Sequence, residues 1–343
     1  MIASYKRLGL KAFICVLFFT ISHSNAQDSI ISVTAKKGDG IYSLLRKQGV
    51  NPYKYFDDFI ALNIENLRDS THLYEGRVYK LPVIIKPEPL DTLSEKVVVV
   101  EKKSYPIFGK KYEETEIKSN RLSGTIYYLV SGHGGPDPGT VTRYANESIS
   151  EDEYAYDVTL RLAKELISHG AIVYLIIRDA DDGIRDKRIL KMDTDEVVYP
   201  KKQIPLNQIK RLKQRTETIN NLYLQHTGKY RRLIVTHVDS RSNGENIDVF
   251  FYHHKKSIAG KKLAESIHKI FKEKYQKYQP NREYSGNFSD RNLYLVKNTM
   301  PPMAYIEIGN IRSKKDLRRI VYPVNRQALA EWIAEGVLLD FEN

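Results

Sequence analysis

His133, Glu151, His237 and Glu307 are the residues of this chain whose types could do chemistry together. Imidazole nitrogens and carboxylate oxygens bind zinc, and a spare carboxylate beside such an ion can carry protons. His133 follows the apolar run Ile126–Val130 and stands among Gly132, Gly134, Gly135 and Gly139, with Pro136 and Pro138 close behind. That pattern reads as a buried strand ending at a stiff loop whose glycines let a ligand come close. A lone histidine at a strand end is equally a packed core residue, so this motif alone leaves both readings open.

The elements that must position these groups alternate in type. A helix starts at Glu151, with Ser150 placed to cap it and Glu153 at the capping-box position. Tyr154, Val158, Leu162 and Leu166 recur at four-residue steps and lay one apolar face on a sheet. The helix stops at His169-Gly170, and Ala171–Ile177 is a continuous apolar strand of the kind covered on both faces. A helix over Leu206–Leu224 leads to a strand at Tyr230–Val235 that ends in His237 and Asp239. A strand at Ile247–Tyr252 leads to a helix over Ile258–Tyr275. Apolar stretches at Leu293–Val296 and Met303–Ile308 precede a last helix, Asn325–Leu339. The spacing predicts an α/β domain with a mainly parallel sheet and helices on both faces. Ligands of such sheets bind beyond the carboxyl ends of the strands, where His133, His237 and Glu307 all fall. Glu151, on the first turn of the helix after the His133 loop, can face the same crevice. Two imidazoles and a carboxylate make a catalytic zinc set with an open position, and the further carboxylate can serve as base.

Residues 1–26 read as a cleaved export signal: Lys6, Arg7 and Lys11 precede the apolar run Ala12–Ile21, and Ser24 and Ala26 are small. The one cysteine, Cys15, lies inside this segment, so the exported chain has neither disulfides nor thiolate ligands, and any metal falls to His, Asp or Glu. The net charge is +12, or +9 without the three cations of residues 1–26, which suits an anionic partner. Export favours an acidic polymer of the cell envelope, and no element that reads nucleic acid is recognisable.

Residues 27–85 form a small unit of β-α-α-β order. Its marks are the turn Lys37-Gly38-Asp39, the pair Leu62-Asn63 and a closing stretch from Gly76 to Pro82. It resembles a LysM module, which implies binding to N-acetylglucosamine-containing glycans; a structural domain without a ligand is the other reading. Residues 86–121 read as a linker, with Lys86–Pro89 stiff and extended and Val97–Val100 strand-like.

Residues 122–343 resemble the zinc-dependent N-acetylmuramoyl-L-alanine amidases of the amidase-3 type. The marks run in order: Gly132–Gly139, Glu151, Arg178-Asp179, His237 to Asp239, and Met300 to Gly309, joined by Arg215, Asn220, Leu263-Ala264 and Asp316. The resemblance implies zinc held by His133, Glu151 and His237, with Glu307 catalytic, and peptidoglycan as substrate. Glu151 is preferred to Glu153 because the apolar positions then fall on Tyr154, Tyr156, Val158 and Leu162; from Glu153 the last would be Lys164. Two other functions remain open: a non-hydrolytic wall-binding protein, and a zinc peptidase that cuts within the stem peptide. Val130-Ser131 stands where the family usually has Asp-Pro before the loop, which removes a carboxylate that could orient His133; Asn310 replaces an aromatic and Ser313 an asparagine, which bears on substrate contacts. Residues 180–208 read as a solvated surface insertion able to cover the cleft, and deletion of residues 182–205 is expected to raise activity. His253 and His254 read as a solvated pair near the glycan.

Overall fold

The structure is a computed structural model that describes residues 31–48, 50, 52–68, 72–82, 102–240 and 244–343. The chain divides into two units, with the boundary between Glu95 and Lys96. The export signal expected at residues 1–26 and the strand expected at Val97–Val100 lie outside the described residues.

The first unit runs β1 (Ser32–Thr34), α1 (Ile41–Lys47), α2 (Pro52–Asn63) and β2 (Val78–Lys80), with β1 and β2 antiparallel. Its three marks each hold the fold. Gly38 turns at φ 83°, and Asp39 accepts the Lys36 N–H at 2.9 Å. Asn63 is buried and grips β2 through the Lys80 N–H (2.7 Å) and carbonyl (2.8 Å). Leu44, Leu45, Phe59 and Tyr79 fill the small core.

The second unit opens with β3 (Lys102–Ser104) and β4 (Glu114–Glu116), then β5 (Thr125–Ser131), β6 (Val141–Tyr144), β7 (Glu147–Ser150), α3 (Glu151–Ser168) and β8 (Ile172–Leu175). After these come β9 (Ile177–Arg178), β10 (Val197–Val198), β11 (Lys202–Gln203), α4 (Gln208–Gln225), β12 (Tyr230–Asp239), β13 (Phe250–His253) and α5 (Ile258–Tyr278). β14 (Asn287–Asp290), α6 (Tyr294–Asn298), β15 (Met303–Asn310), α7 (Lys314–Val321) and α8 (Pro323–Glu342) complete it. Among the described residues no helix is long and apolar enough to cross a membrane.

The central sheet has the order β14-β13-β15-β12-β5-β8, and only the β13–β15 pair is antiparallel. All seven residues of β5 are buried. Tyr127 and Leu129 face the layer that contains α3, α5 and α8, while Ile126, Tyr128 and Val130 face the layer of α4 and α6. A strand covered on both sides must be apolar throughout, which is how it reads.

Several expectations are corrected. Residues 102–121 are not a spacer: β3 and β4 pair, Phe108 is 1% exposed in the main core, and Lys164 of α3 holds the Tyr112 carbonyl at 2.8 Å. The short polar strands carry no periodic signal, and one buried aromatic anchors them. Within the apolar stretch at residues 171–177, β8 is the edge of the central sheet, with Ile172 half exposed, and Ile177 belongs to β9 of a separate three-stranded sheet. Leu293–Val296 lies in the turn entering α6 and in α6 itself, and the polar β14 pairs where no strand was read. Ser150 stands at the cap of α3 without a side-chain hydrogen bond to the helix.

Candidate active site

β5, β12 and β15 are parallel neighbours, so their carboxyl ends open on one crevice. Alternation places two of the groups. Leu233 and Val235 of β12 face the α4 and α6 layer, and His237, two residues on, leaves by the same face. Met303, Tyr305 and Glu307 repeat this on β15, and His237 and Glu307 are register partners. The His237 ring stacks on Tyr305 at 4.8 Å.

His133 arrives by a turn. The Gly132 N–H extends the ladder to the Thr236 carbonyl (2.7 Å), after which His133 adopts φ 61°. That left-handed conformation is uncommon for a residue with a side chain, and the loop around it holds it there. A Cβ at Gly132 would lie 2.4 Å from the His237 ring, and one at Gly139 would lie 2.8 Å from the His133 ring. The two glycines form a cradle in which the rings approach.

Glu151 completes the group. Its Oε1 lies 3.2 Å from His133 Nε2 and 2.9 Å from His237 Nδ1, and accepts the Val238 N–H at 3.2 Å. Its Oε2 accepts the Thr140 N–H at 3.3 Å. Donor atoms of His133, Glu151 and His237 all lie within 4.8 Å of one another. Ligands of a tetrahedral zinc ion stand roughly 3.4 Å apart, so the set fits such an ion with small adjustments. Glu153 turns away, to Arg185 Nη1 (2.8 Å) and the Asp193 N–H (3.2 Å).

The electrostatics follow from burial and pairing. Burial opposes a charge on His133, but Asp137 and Glu151 outweigh it and raise its pKa to about 10. Burial acts against the Glu151 carboxylate too, yet the two imidazoles hold it well below the usual carboxylate range. His237 is pushed down by burial despite Glu151. A cation entering this set would displace the proton on His133.

Of the residues that support His133 and its loop, Arg211 was missed, while Asp137, Arg215 and Asn220 stood in the sequence motifs without an assigned partner. Asp137 Oδ2 lies 3.0 Å from His133 Nδ1 and is held from behind by Arg211 Nη2 at 2.8 Å. The carboxylate that orients His133 therefore comes from four residues later in the loop. Its signal is the one aspartate inside the Gly132–Gly139 loop. Arg215 donates to the His133 carbonyl, and Asn220 ties α4 to the Asn298 carbonyl (3.0 Å) and the Met300 N–H (2.8 Å). The resulting cleft of about 390 Å³ is lined by the four site residues and by Arg211, Arg215, Tyr252 and Arg291.

Two departures do other work. Asn310 is buried and donates to the Glu245 carbonyl (3.0 Å), and the Ser313 side chain caps α7; neither lines the cleft. His253 is buried and stacks on Phe288 at 5.0 Å, so it is not half of a solvated pair.

Fold and site together define a protein of the α/β class with a cleft whose donor set can hold a metal. Residues 128–338 match the family model of N-acetylmuramoyl-L-alanine amidase, and the chain belongs to that family. It is a peptidoglycan amidase. The germination-specific N-acetylmuramoyl-L-alanine amidase of Bacillus subtilis (strain 168) is 24% identical over 222 residues, covering 64% of this chain and 81% of that protein. Among solved structures, the CwlD amidase of Clostridioides difficile in complex with the GerS lipoprotein is similar at 20% identity, over 63% of this chain and 98% of that one, with a TM-score of 0.48. The amidase AmiC2 of Nostoc punctiforme is similar at 19% identity, over 66% and 99%, with a TM-score of 0.45.

Proposed function

We propose that this amidase is zinc-dependent, that His133, Glu151 and His237 hold the ion, and that Glu307 is the general base and acid. The observation that carries the reading is the meeting of two imidazoles and a buried carboxylate in a glycine cradle, with Glu307 in register beside His237. When bound, zinc supplies Lewis acidity that polarises the substrate carbonyl and acidifies a water. Glu307 takes a proton from the attacking water and hands it to the amine nitrogen of L-alanine as its bond to the lactyl carbonyl of N-acetylmuramic acid breaks. The products are a carboxylic acid and a free amine, so one carboxyl group in both roles balances the reaction. Asp137 and Arg211 keep the His133 ring oriented, and Tyr305 backs the His237 ring.

The first unit is proposed as a LysM-like module that holds glycan, and the protein as exported to the periplasm or cell envelope, in keeping with its basic charge and peptidoglycan substrate. The test is mass spectrometry of purified sacculi treated with the protein, with the Glu307→Ala variant and with a chelated sample. Stem peptides beginning at L-alanine are expected from the first alone, with restoration by zinc. Cuts within the stem, or full activity after chelation, would overturn the reading. Glu307→Ala is expected to lose about 10²–10⁴-fold in rate while keeping its zinc.

A further inference from the structure

None of the carboxylates of a second cluster lines the cleft. Asp152 and Glu153 come from the first turn of α3, Asp179 follows β9, and Asp193 and Glu196 precede β10. Oxygens of Asp152, Glu153 and Glu196 lie within 4.8 Å of one another, as do those of Asp179, Asp193 and Glu196, so Glu196 joins the two groups. Asp152, Glu153 and Asp179 are each 2% exposed and Glu196 5%.

The hydrogen bonds leave this nest undersupplied. Arg185 meets Glu153 at 2.8 Å and also Asp182. Asp152 Oδ1 accepts the Glu153 N–H (2.9 Å), Asp179 Oδ1 accepts the N–H groups of Asp181 (2.9 Å) and Asp182 (2.8 Å), and Glu196 Oε2 accepts the Gly135 N–H (2.6 Å). Asp152 Oδ2 and Asp179 Oδ2 are buried without a hydrogen-bond partner. Burial raises both Asp179 and Glu196 to about 7. Buried carboxylates need a counter-charge, a proton or a metal, and the orphaned Oδ2 of Asp179 and Oδ1 of Asp193 show that the donors around this group do not suffice.

We infer that Asp179, Asp193 and Glu196 form a second, structural cation site that takes calcium or a calcium-like divalent ion. The donor chemistry selects the ion. Every side-chain donor is a hard oxygen, which disfavours zinc, and three carboxylates from irregular loop segments suit the irregular six-to-eight-fold shell of calcium better than the strict octahedron of magnesium. The ion would pin Asp179, after β9, to Asp193 and Glu196, before β10, and through Glu196 to the Gly135 N–H beside His133.

The experiment titrates calcium chloride into the full chain, freed of divalent ions and reloaded with one equivalent of zinc, by calorimetry and by thermal melting. One calcium per chain is expected, with a rise in melting temperature, and Asp179→Asn and Asp193→Asn should each weaken binding roughly tenfold or more while zinc content stays at one. Asp193 is partly exposed, so its variant remains informative if Asp179→Asn does not fold. His133→Ala should lose zinc and keep calcium. Absence of saturable binding up to about 10 mM calcium, unchanged affinity in Asp193→Asn, or loss of calcium together with zinc in His133→Ala would each overturn the site.

Discussion

One oxygen, Glu151 Oε1, touches both imidazoles and the Val238 amide, so its position decides whether a donor set exists. That position depends on residues with no chemistry of their own. Gly139 has φ 67°, and a Cβ there would fall 2.8 Å from the His133 ring and 2.9 Å from Glu151 Oε2. Gly139→Ala is therefore expected to push the ring and the carboxylate apart and to weaken zinc binding about 10- to 100-fold, read as zinc retained after dialysis against a competing chelator. Asp137→Asn tests orientation instead of space. The amide lacks the charge that holds the His133 ring, so zinc affinity should fall by a similar factor of about 10 to 100 with the melting temperature nearly unchanged. A loss of turnover at full zinc occupancy would instead place Asp137 in the reaction.

At the scale of elements, the segment between β9 and α4 changes its meaning. It is packed rather than solvated: Ile184, Leu190, Val198 and Ile204 are buried, and Tyr154 donates to the Arg188 carbonyl at 2.7 Å. A Cβ at Gly135 would lie 2.9 Å from Ile204, and Glu196 holds the Gly135 amide, so this segment buttresses the His133 loop. Deleting residues 182–205 is thus expected to lower activity and melting temperature together, the reverse of what a removable cover would do; raised activity in sacculus digestion would restore the cover. The reason for the misreading is local. Its acids and lysines look solvated because they pair across long sequence distances, as Arg185 does with Glu153, and single-sequence periodicity does not report such pairs. By contrast β5, α3, β12 and β15 were legible because apolar period and burial coincide there. The zinc candidates were legible because the two histidines sit at strand ends and Glu151 opens a helix, whereas Arg211 stands on a polar helix face with no pattern to mark it.

At the scale of the molecule, the catalytic unit is fastened by buried ion pairs at a distance from the cleft. Arg326 of α8 is fully buried, gives its Nε to Asp157 of α3 (2.6 Å), and donates to the carbonyls of Val321 (2.8 Å), Arg185 (2.8 Å) and Lys187 (2.9 Å). Removing it leaves Asp157 with Arg161 (2.8 Å) and the Arg185 N–H (2.7 Å), and Arg326→Ala should cost about 3–5 kcal/mol in urea unfolding. Asp248 makes the acid limit of this architecture measurable. It is buried, takes φ 53°, and accepts from Arg282 (2.7 and 3.0 Å), Arg319 (3.2 Å) and the Ser285 N–H (2.9 Å). Burial alone would raise its pKa, but Arg282, Ser285 and Arg319 outweigh it and bring it from 3.8 down to about 2. A depressed folded pKa contributes stability that is complete above the unfolded value and disappears as pH falls through the folded one. The urea midpoint of the wild type should therefore drop between about pH 4 and pH 2 by more than that of Asp248→Asn, a residue that tolerates the left-handed backbone. Near pH 6 the variant should be the less stable of the two, and the difference should close as the wild-type carboxylate is protonated. A difference that stays constant from about pH 6 to pH 2 would show that Asp248 contributes through packing and neutral hydrogen bonds instead of charge.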